Sequence, residues 1–326
     1  MRRLAIILLS SVALAQTPPQ TAPQTAPQTQ IALAAKSPFT LARYIESHKN
    51  LDWDALWKAL GVRDPKVSDP PCGSATHNPC TTSILTVLNP DQAILIVQSD
   101  GRKTNDIYLR YRPAAKGGWR FAGERSAFIN EAPRRYEVFR VGIKPFLKIS
   151  SDFSEVDGGF IQEVEEWLDL TQPGFASVFS FTVGGSENRF SFGVSRSINA
   201  QTIVSQTPAL ETIELILKVH FDGPGLDVPA TYLGVYERSV SQKKFQLTRA
   251  YQGPDRRAEI PTKDFEALGD PFEGPSNEQL LVYALPGLQK IATGSDAKAR
   301  AWLSSILEKA KETPEKRALA ELLAKP

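Results

Sequence analysis

The stretch TIELILKVHF, residues 212–221, decides the fold class of this chain. In an extended conformation one side carries five apolar residues, namely Ile213, Leu215, Leu217, Val219 and Phe221. The opposite side carries Glu214, Ile216, Lys218 and His220. A period of two is typical of a β-strand with one face in the core and the other mainly in water. The sequence therefore predicts a half-buried strand here.

Other β-rich runs precede and follow this strand. They cover residues 83–88, 92–98, 107–112, 119–122, 136–149, 160–170, 176–184, 189–196, 231–237 and 245–251. No ten-residue helical pattern lies between the later runs, so the crossover helices that parallel strands need are missing. Residues 160–170 are less clear, because their Glu-rich pattern also suits a helix. The pattern predicts an α+β fold with a large, mainly antiparallel, meander-like sheet.

Helical patterns flank the β-rich region. Ser37 and Pro38 supply an N-cap and a first-turn proline, and we expect folded sequence to begin there. A second helix follows Asp52, with Trp53 and Trp57 on one face. We expect this N-terminal helical hairpin to dock on the main core, although the Trp pair could instead form a sugar-stacking or partner surface. Residues 274–326 are rich in Ala, Leu, Lys and Glu and predict a C-terminal helical tail.

The first residues have the features of a cleavable signal peptide. Arg2 and Arg3 precede an apolar stretch over residues 4–14, and an A-x-A site ends at Ala15, before Gln16. The apolar stretch is about half as long as a membrane-spanning helix requires. We therefore expect cleavage between Ala15 and Gln16, export to the periplasm or the medium, and no transmembrane segment in the mature form.

The remaining chain divides by composition. Residues 16–36 contain repeated Thr, Pro and Gln and predict a disordered linker. An α+β domain then covers residues 37–273, as one sheet unit or as two that divide near residues 130–135. The chain has 38 basic and 36 acidic residues, and removing the two signal-peptide arginines from the 38 leaves 36. This balance gives no support to nucleic-acid binding.

The two cysteines lie close together in the sequence. Cys72 and Cys80 bracket a turn-rich loop, and in an exported protein such a pair favours a disulfide. The alternative is a metal or redox centre that includes His77. Three ligands without a fourth nearby make a poor structural zinc site, so we expect no metal and no cofactor.

One strand offers a candidate binding face. A period of two over residues 107–112 places Tyr108, Arg110 and Arg112 on the face opposite Ile107, Leu109 and Tyr111. Arg120 could join them from the next strand. Arg beside Tyr suits a carboxylate, a phosphate or a sugar. The alternative is an ordinary charged outer face.

Two functional hypotheses follow. The sequence has no G-x-S-x-G and no P-loop motif. This favours an exported, non-catalytic, envelope-associated binding or scaffold protein, whose partner is an anionic envelope polymer or another protein. The alternative is a cell-envelope hydrolase whose carboxylates, such as Glu163, Glu165 or Asp169, meet in space. The hydrolase needs two carboxylates that face one pocket, whereas the binding protein does not.

Overall fold

The computed structural model describes residues 28–48, 50–63, 65, 72, 80–88, 91–99, 104–129, 134–155, 160–172, 174–187, 194–207, 210–239, 241–270 and 276–325. The signal peptide, its cleavage site at Ala15 and Gln16, residues 16–27 of the linker, and His77 lie outside these residues. Two antiparallel sheets combine with helices at both ends. The predicted α+β class with a large antiparallel sheet is confirmed.

The N-terminal helices are α1 (Gln28–Ala34), α2 (Pro38–Ser47) and α3 (Trp53–Leu60). The Ser37 hydroxyl accepts from the Phe39 amide at 3.3 Å, and Asp52 accepts from the Ala55 amide at 3.0 Å. The predicted helical hairpin is therefore confirmed. Folded sequence does not begin at Ser37, however, because α1 lies inside the expected linker. Ile31 of α1 is buried in the same apolar cluster as α2 and α3, and this contact explains why the segment folds.

The first sheet consists of β1 (Cys80–Val87), β2 (Gln92–Ser99), β3 (Thr104–Pro113) and β4 (Trp119–Ile129), in that order. The N-terminal helices cover one of its faces. Residues from both sides of this contact form one buried cluster, which includes Leu41, Trp53, Trp57, Leu95 and Leu109. The Trp pair thus packs in the core, as expected.

The second sheet contains nine antiparallel strands in chain order. They are β5 (Arg135–Val141), β6 (Lys144–Glu155), β7 (Phe160–Asp169), β8 (Ala176–Glu187), β9 (Ser195–Gln206), β10 (Leu210–Gly223), β11 (Leu226–Ser239), β12 (Gln246–Gln252) and β13 (Ala258–Ile260). The ambiguous residues 160–170 thus form a strand up to Asp169. The five apolar residues on one side of residues 212–221 are all buried in β10, so their predicted face is confirmed.

One strand prediction was wrong, and another lies mostly outside the described residues. Residues 136–149 are not one strand, because Gly142 adopts a left-handed turn, with a φ of 58°, between β5 and β6. Of the strand expected at residues 189–196, residues 189–193 lie outside the described part of the chain, and its last two residues begin β9, which continues to Gln206. Only Ile198, Ala200 and Val204 are apolar on the inner side of β9, where Thr202 interrupts them, and this weak pattern gave no strand prediction beyond residue 196.

The second sheet curls. Residues 184–187 of β8 pair with β9, whereas the beginning of β8 approaches the start of β12, where the Phe245 amide donates to the Val178 carbonyl at 2.9 Å. Aromatic rings fill the space inside the bend, among them Trp167, Phe179 and Tyr236. Trp167 and Tyr236 both contact Phe179 edge to face, with ring centroids 5.2 and 4.9 Å from it.

Five further helices follow the strands in the described part of the chain. They are α4 (Thr262–Gly269), α5 (Asn277–Tyr283), α6 (Leu285–Thr293), α7 (Ala297–Lys309) and α8 (Pro314–Leu323). They share one apolar cluster with the inner faces of β10 and β11. No helix in the described ranges has the length and apolar character needed to cross a membrane.

Candidate functional site

The candidate binding face lies between the two sheets. Tyr108 and Arg110 are 0% and 1% exposed, because Leu147, Leu168 and Phe175 of the second sheet region cover this side of β3. The expected exposure of these two side chains was wrong. Arg112 is half-buried and Arg120 is exposed, so the four residues do not form one surface patch.

Arg110 is held by groups of the protein. Its guanidinium lies over the Phe175 ring, 4.2 Å from the centroid, and its Nη1 donates to the Gln172 carbonyl at 2.7 Å. Burial lowers the pKa of Arg110 to about 10. A group enclosed in this way stabilises the contact between the sheets and cannot reach a polymer in solution.

Asp106 forms a second polar contact between the sheets. Its Oδ1 lies 2.6 Å from Arg134 Nη1, and its Oδ2 accepts a hydrogen bond from the Tyr136 hydroxyl. Burial raises the pKa of Asp106 to about 6, although Tyr136 and Arg134 oppose the rise. We call Asp106, Tyr108, Arg110, Arg134 and Tyr136 the intersheet seam.

The carboxylates proposed for a hydrolase each contact a different basic side chain. Glu163 pairs with Arg135, and Glu165 lies 4.0 Å from Lys148 Nζ. Asp169 pairs with the buried Arg238 at 3.0 Å. A second carboxylate, Glu211, lies 2.5 Å from the same guanidinium. These contacts are typical of structural ion pairs, and they do not bring the three predicted carboxylates to one cavity.

The cysteine prediction is confirmed. Cys72 and Cys80 form a disulfide. The indole Nε1 of Trp53 donates to the Cys72 carbonyl at 2.6 Å, so the disulfide is attached to the N-terminal helices. Among the described residues, no three His, Cys, Asp or Glu side chains form a group that could hold a metal ion.

A cavity of about 360 Å³ lies between α4 and the second sheet. We call it the α4 cleft. Its aromatic wall comes from three separate elements and consists of Phe181, Tyr236 and Phe265. Leu215 and Leu217 of β10 add aliphatic surface.

The polar groups of the α4 cleft lie on opposite walls. On the sheet side, Gln162 Nε2 donates to Thr182 Oγ1 at 2.7 Å, and both side chains are buried. On the helix side are Glu266, which is exposed, and Asp270, which is half-buried. Burial raises the pKa of Tyr236, and the charge of Glu266 raises it further, so this hydroxyl keeps its proton at neutral pH.

Two buried features fix α4 above the sheet. Gly234 of β11 allows the Phe265 ring to approach, since a Cβ at this position would lie 2.5 Å from the ring. Arg196 donates from Nη1 to the carbonyls of Ala267 and Leu268, each at 3.1 Å, and from Nη2 to that of Asp270 at 2.8 Å. These contacts satisfy the carbonyls at the end of α4.

Sequence reasoning missed the α4 cleft. None of its lining residues was selected as a site, and no helix was expected between the last predicted strand, at residues 245–251, and residue 274. Phe265 and Leu268 are three residues apart and both buried, so a short amphipathic pattern was present. No family model, curated protein or solved structure matches this chain. The function is therefore inferred from the residues of the site itself.

Proposed function

We propose that this protein is an exported, non-catalytic binding protein of the cell envelope that holds a small amphipathic ligand in the α4 cleft. The observation that carries the proposal is the cleft itself, about 360 Å³ with aromatic walls and a few polar groups. Small-molecule sites are typically concave and mostly apolar, and a small number of polar groups set the ligand's orientation.

Two features support export. The N-terminal sequence has the charged, apolar and A-x-A regions of a signal peptide. The Cys72–Cys80 disulfide is of the kind that persists in oxidising compartments.

The arrangement of carboxylates favours binding over hydrolysis. Paired-carboxylate glycosidases place their two groups on either side of the bond that is cleaved. In the α4 cleft both carboxylates come from one wall, since Glu266 belongs to α4 and Asp270 is the residue that caps its end. Gln162 and Thr182 on the opposite wall are neutral, and they cannot supply the second carboxylate.

The cleft also replaces the earlier candidate site. An anionic polymer was expected to meet Tyr108, Arg110, Arg112 and Arg120 together, but Tyr108 and Arg110 are buried. Of the four residues, only Arg112 and Arg120 could then meet a polymer. The expected site depended on Arg beside Tyr, and these two residues do not provide that combination.

Native mass spectrometry of the protein purified from its exported form tests this proposal. Ser180 lines the cleft and is exposed, so Ser180→Trp should fill the cavity with little effect on folding. Ser197, an exposed serine of β9, provides the matched control Ser197→Trp. We expect wild type and Ser197→Trp to carry a small molecule that Ser180→Trp has lost. Equal retention by both variants, or turnover of the bound molecule, would contradict the proposal.

A further inference from the structure

We infer that the α4 cleft binds an organic cation, with an ammonium group held between its aromatic rings and the carboxylate of Glu266 on α4. The inference rests on the proposed function, because it assigns a chemical class to the ligand of the same cleft. The observation behind it is the combination of rings and carboxylates in one cavity.

The aromatic side is built by three elements. Phe181 comes from β8, Tyr236 from β11 and Phe265 from α4. Tyr236 and Phe265 meet at an interplanar angle of 66°, with centroids 6.5 Å apart, so their faces point in different directions. The faces of aromatic rings attract cations, and several rings around one site are a known solution for ammonium ligands.

The described charged side chains that line the cleft are all acidic. Glu266 of α4 and Asp270, the C-cap residue that follows α4, both line the cleft. Among the described residues that line the cleft, none is Lys, Arg or His. Arg196 is the neighbouring cation, and its guanidinium donates to the carbonyls at the end of α4. The inference depends on Glu266, which is exposed at the rim.

The rings and the acidic side chains of the cleft suit anionic, neutral and cationic ligands to different degrees. An anion would meet the carboxylate of Glu266 and no basic group of the lining, so it is disfavoured. A neutral ligand would gain contact with the rings but nothing from Glu266. A cation gains from both. The volume of about 360 Å³ is near the lower end of ligand sites, and this favours a compact ammonium compound.

Calorimetric titration of the full mature chain tests the inference with a pair of isosteres. Choline carries a quaternary ammonium, and 3,3-dimethylbutan-1-ol has the same shape without the charge. We expect choline to bind at least about fivefold more tightly, because cation–π and carboxylate contacts act only on the charged compound. Higher salt should reduce this preference.

Single-residue variants test whether Glu266 causes the preference for choline. Glu266→Gln should remove most of the preference for choline, while Glu308→Gln, the same change at an exposed position of α7, should keep it. Tyr236→Phe keeps the ring and should retain choline binding. Circular dichroism confirms that each variant is folded.

Two outcomes would overturn the inference. One is equal affinity for choline and its isostere in wild type and in Glu266→Gln. The other is no binding of choline at millimolar concentrations. Either result leaves the proposed function standing if Ser180→Trp still removes a co-purified molecule, because that experiment does not depend on the ligand's charge.

Discussion

Asp106 is a single carboxyl group whose environment makes stability depend on pH. It is 0% exposed, and burial raises its pKa to about 6 from an ordinary value of 3.8. Between these values the folded protein holds a proton that the unfolded chain has released. The free energy of unfolding contributed by this group therefore falls as the pH rises from about 4 to 6.

The corresponding prediction compares wild type with Asp106→Asn. Relative to this variant, wild type should lose about 2 kcal/mol of unfolding free energy between pH 4 and 6, because one proton changes the stability by at most about 1.4 kcal/mol per pH unit. Urea unfolding at a series of pH values measures the difference. Asp222→Asn removes an exposed carboxylate and should follow wild type. If Asp106→Asn also followed wild type, Asp106 would not titrate in this range.

Residue-scale prediction from sequence succeeded where one local rule was sufficient. Residues nearby in the sequence were sufficient to predict the helix caps at Ser37 and Asp52 and the disulfide between Cys72 and Cys80. Arg110 was different, because the residues that enclose it, Gln172 and Phe175, lie more than sixty residues further along the chain. One signal was available: residues 93–97 are all apolar, and such a run is consistent with a strand covered on both faces.

At the scale of elements, the α4 cleft depends on a close approach between α4 and β11. Gly234 is the residue that permits it, since an added Cβ would lie 2.5 and 2.6 Å from atoms of the Phe265 ring. The ring would have to move, and α4 would move with it.

We predict that Gly234→Ala lowers the free energy of unfolding by about 1–3 kcal/mol, the usual cost of overpacking. Because α4 forms one wall of the cleft, the variant should also bind the cleft ligand more weakly. Gly184→Ala is the control, since its added Cβ would meet its neighbours at an ordinary 3.8 Å. Chemical denaturation and ligand titration measure the two effects. Equal behaviour of the two variants would show that α4 does not depend on this contact.

The same elements show why sequence could not predict the cleft. The strong alternation in β10 has a single interpretation, and the structure agrees with it. Helix α4 has only eight residues, and such a short helix is stable because of its contacts rather than its own propensity. The bend that brings β8 towards Phe245 arises from long-range packing, to which no local motif corresponds. The residues of the cleft become neighbours only through these features.

At the scale of the whole molecule, the two sheets share one buried interface. Ile94, Ile96 and Tyr108 of the first sheet belong to the same apolar cluster as Leu147 and Leu168 of the second. Polar contacts reinforce it: Gln92 Nε2 donates to the Leu170 carbonyl at 3.3 Å, and Arg125 pairs with Glu166 at 2.6 Å. Separation of the sheets would expose the apolar cluster and leave buried charges without these partners.

We therefore predict that the two sheets unfold in one cooperative transition. In hydrogen-exchange mass spectrometry at increasing urea, peptides from β2 and from β10 should become exposed at the same midpoint, because both sheets contribute to the apolar cluster between them. Arg110→Ala removes a buried contact of the seam and should lower both midpoints together, whereas Arg120→Ala, at an exposed position of β4, should change neither. Exposure of the β2 peptides at a lower urea concentration than the β10 peptides would instead show that the sheets are separate folding units, and that the seam is only a contact between them.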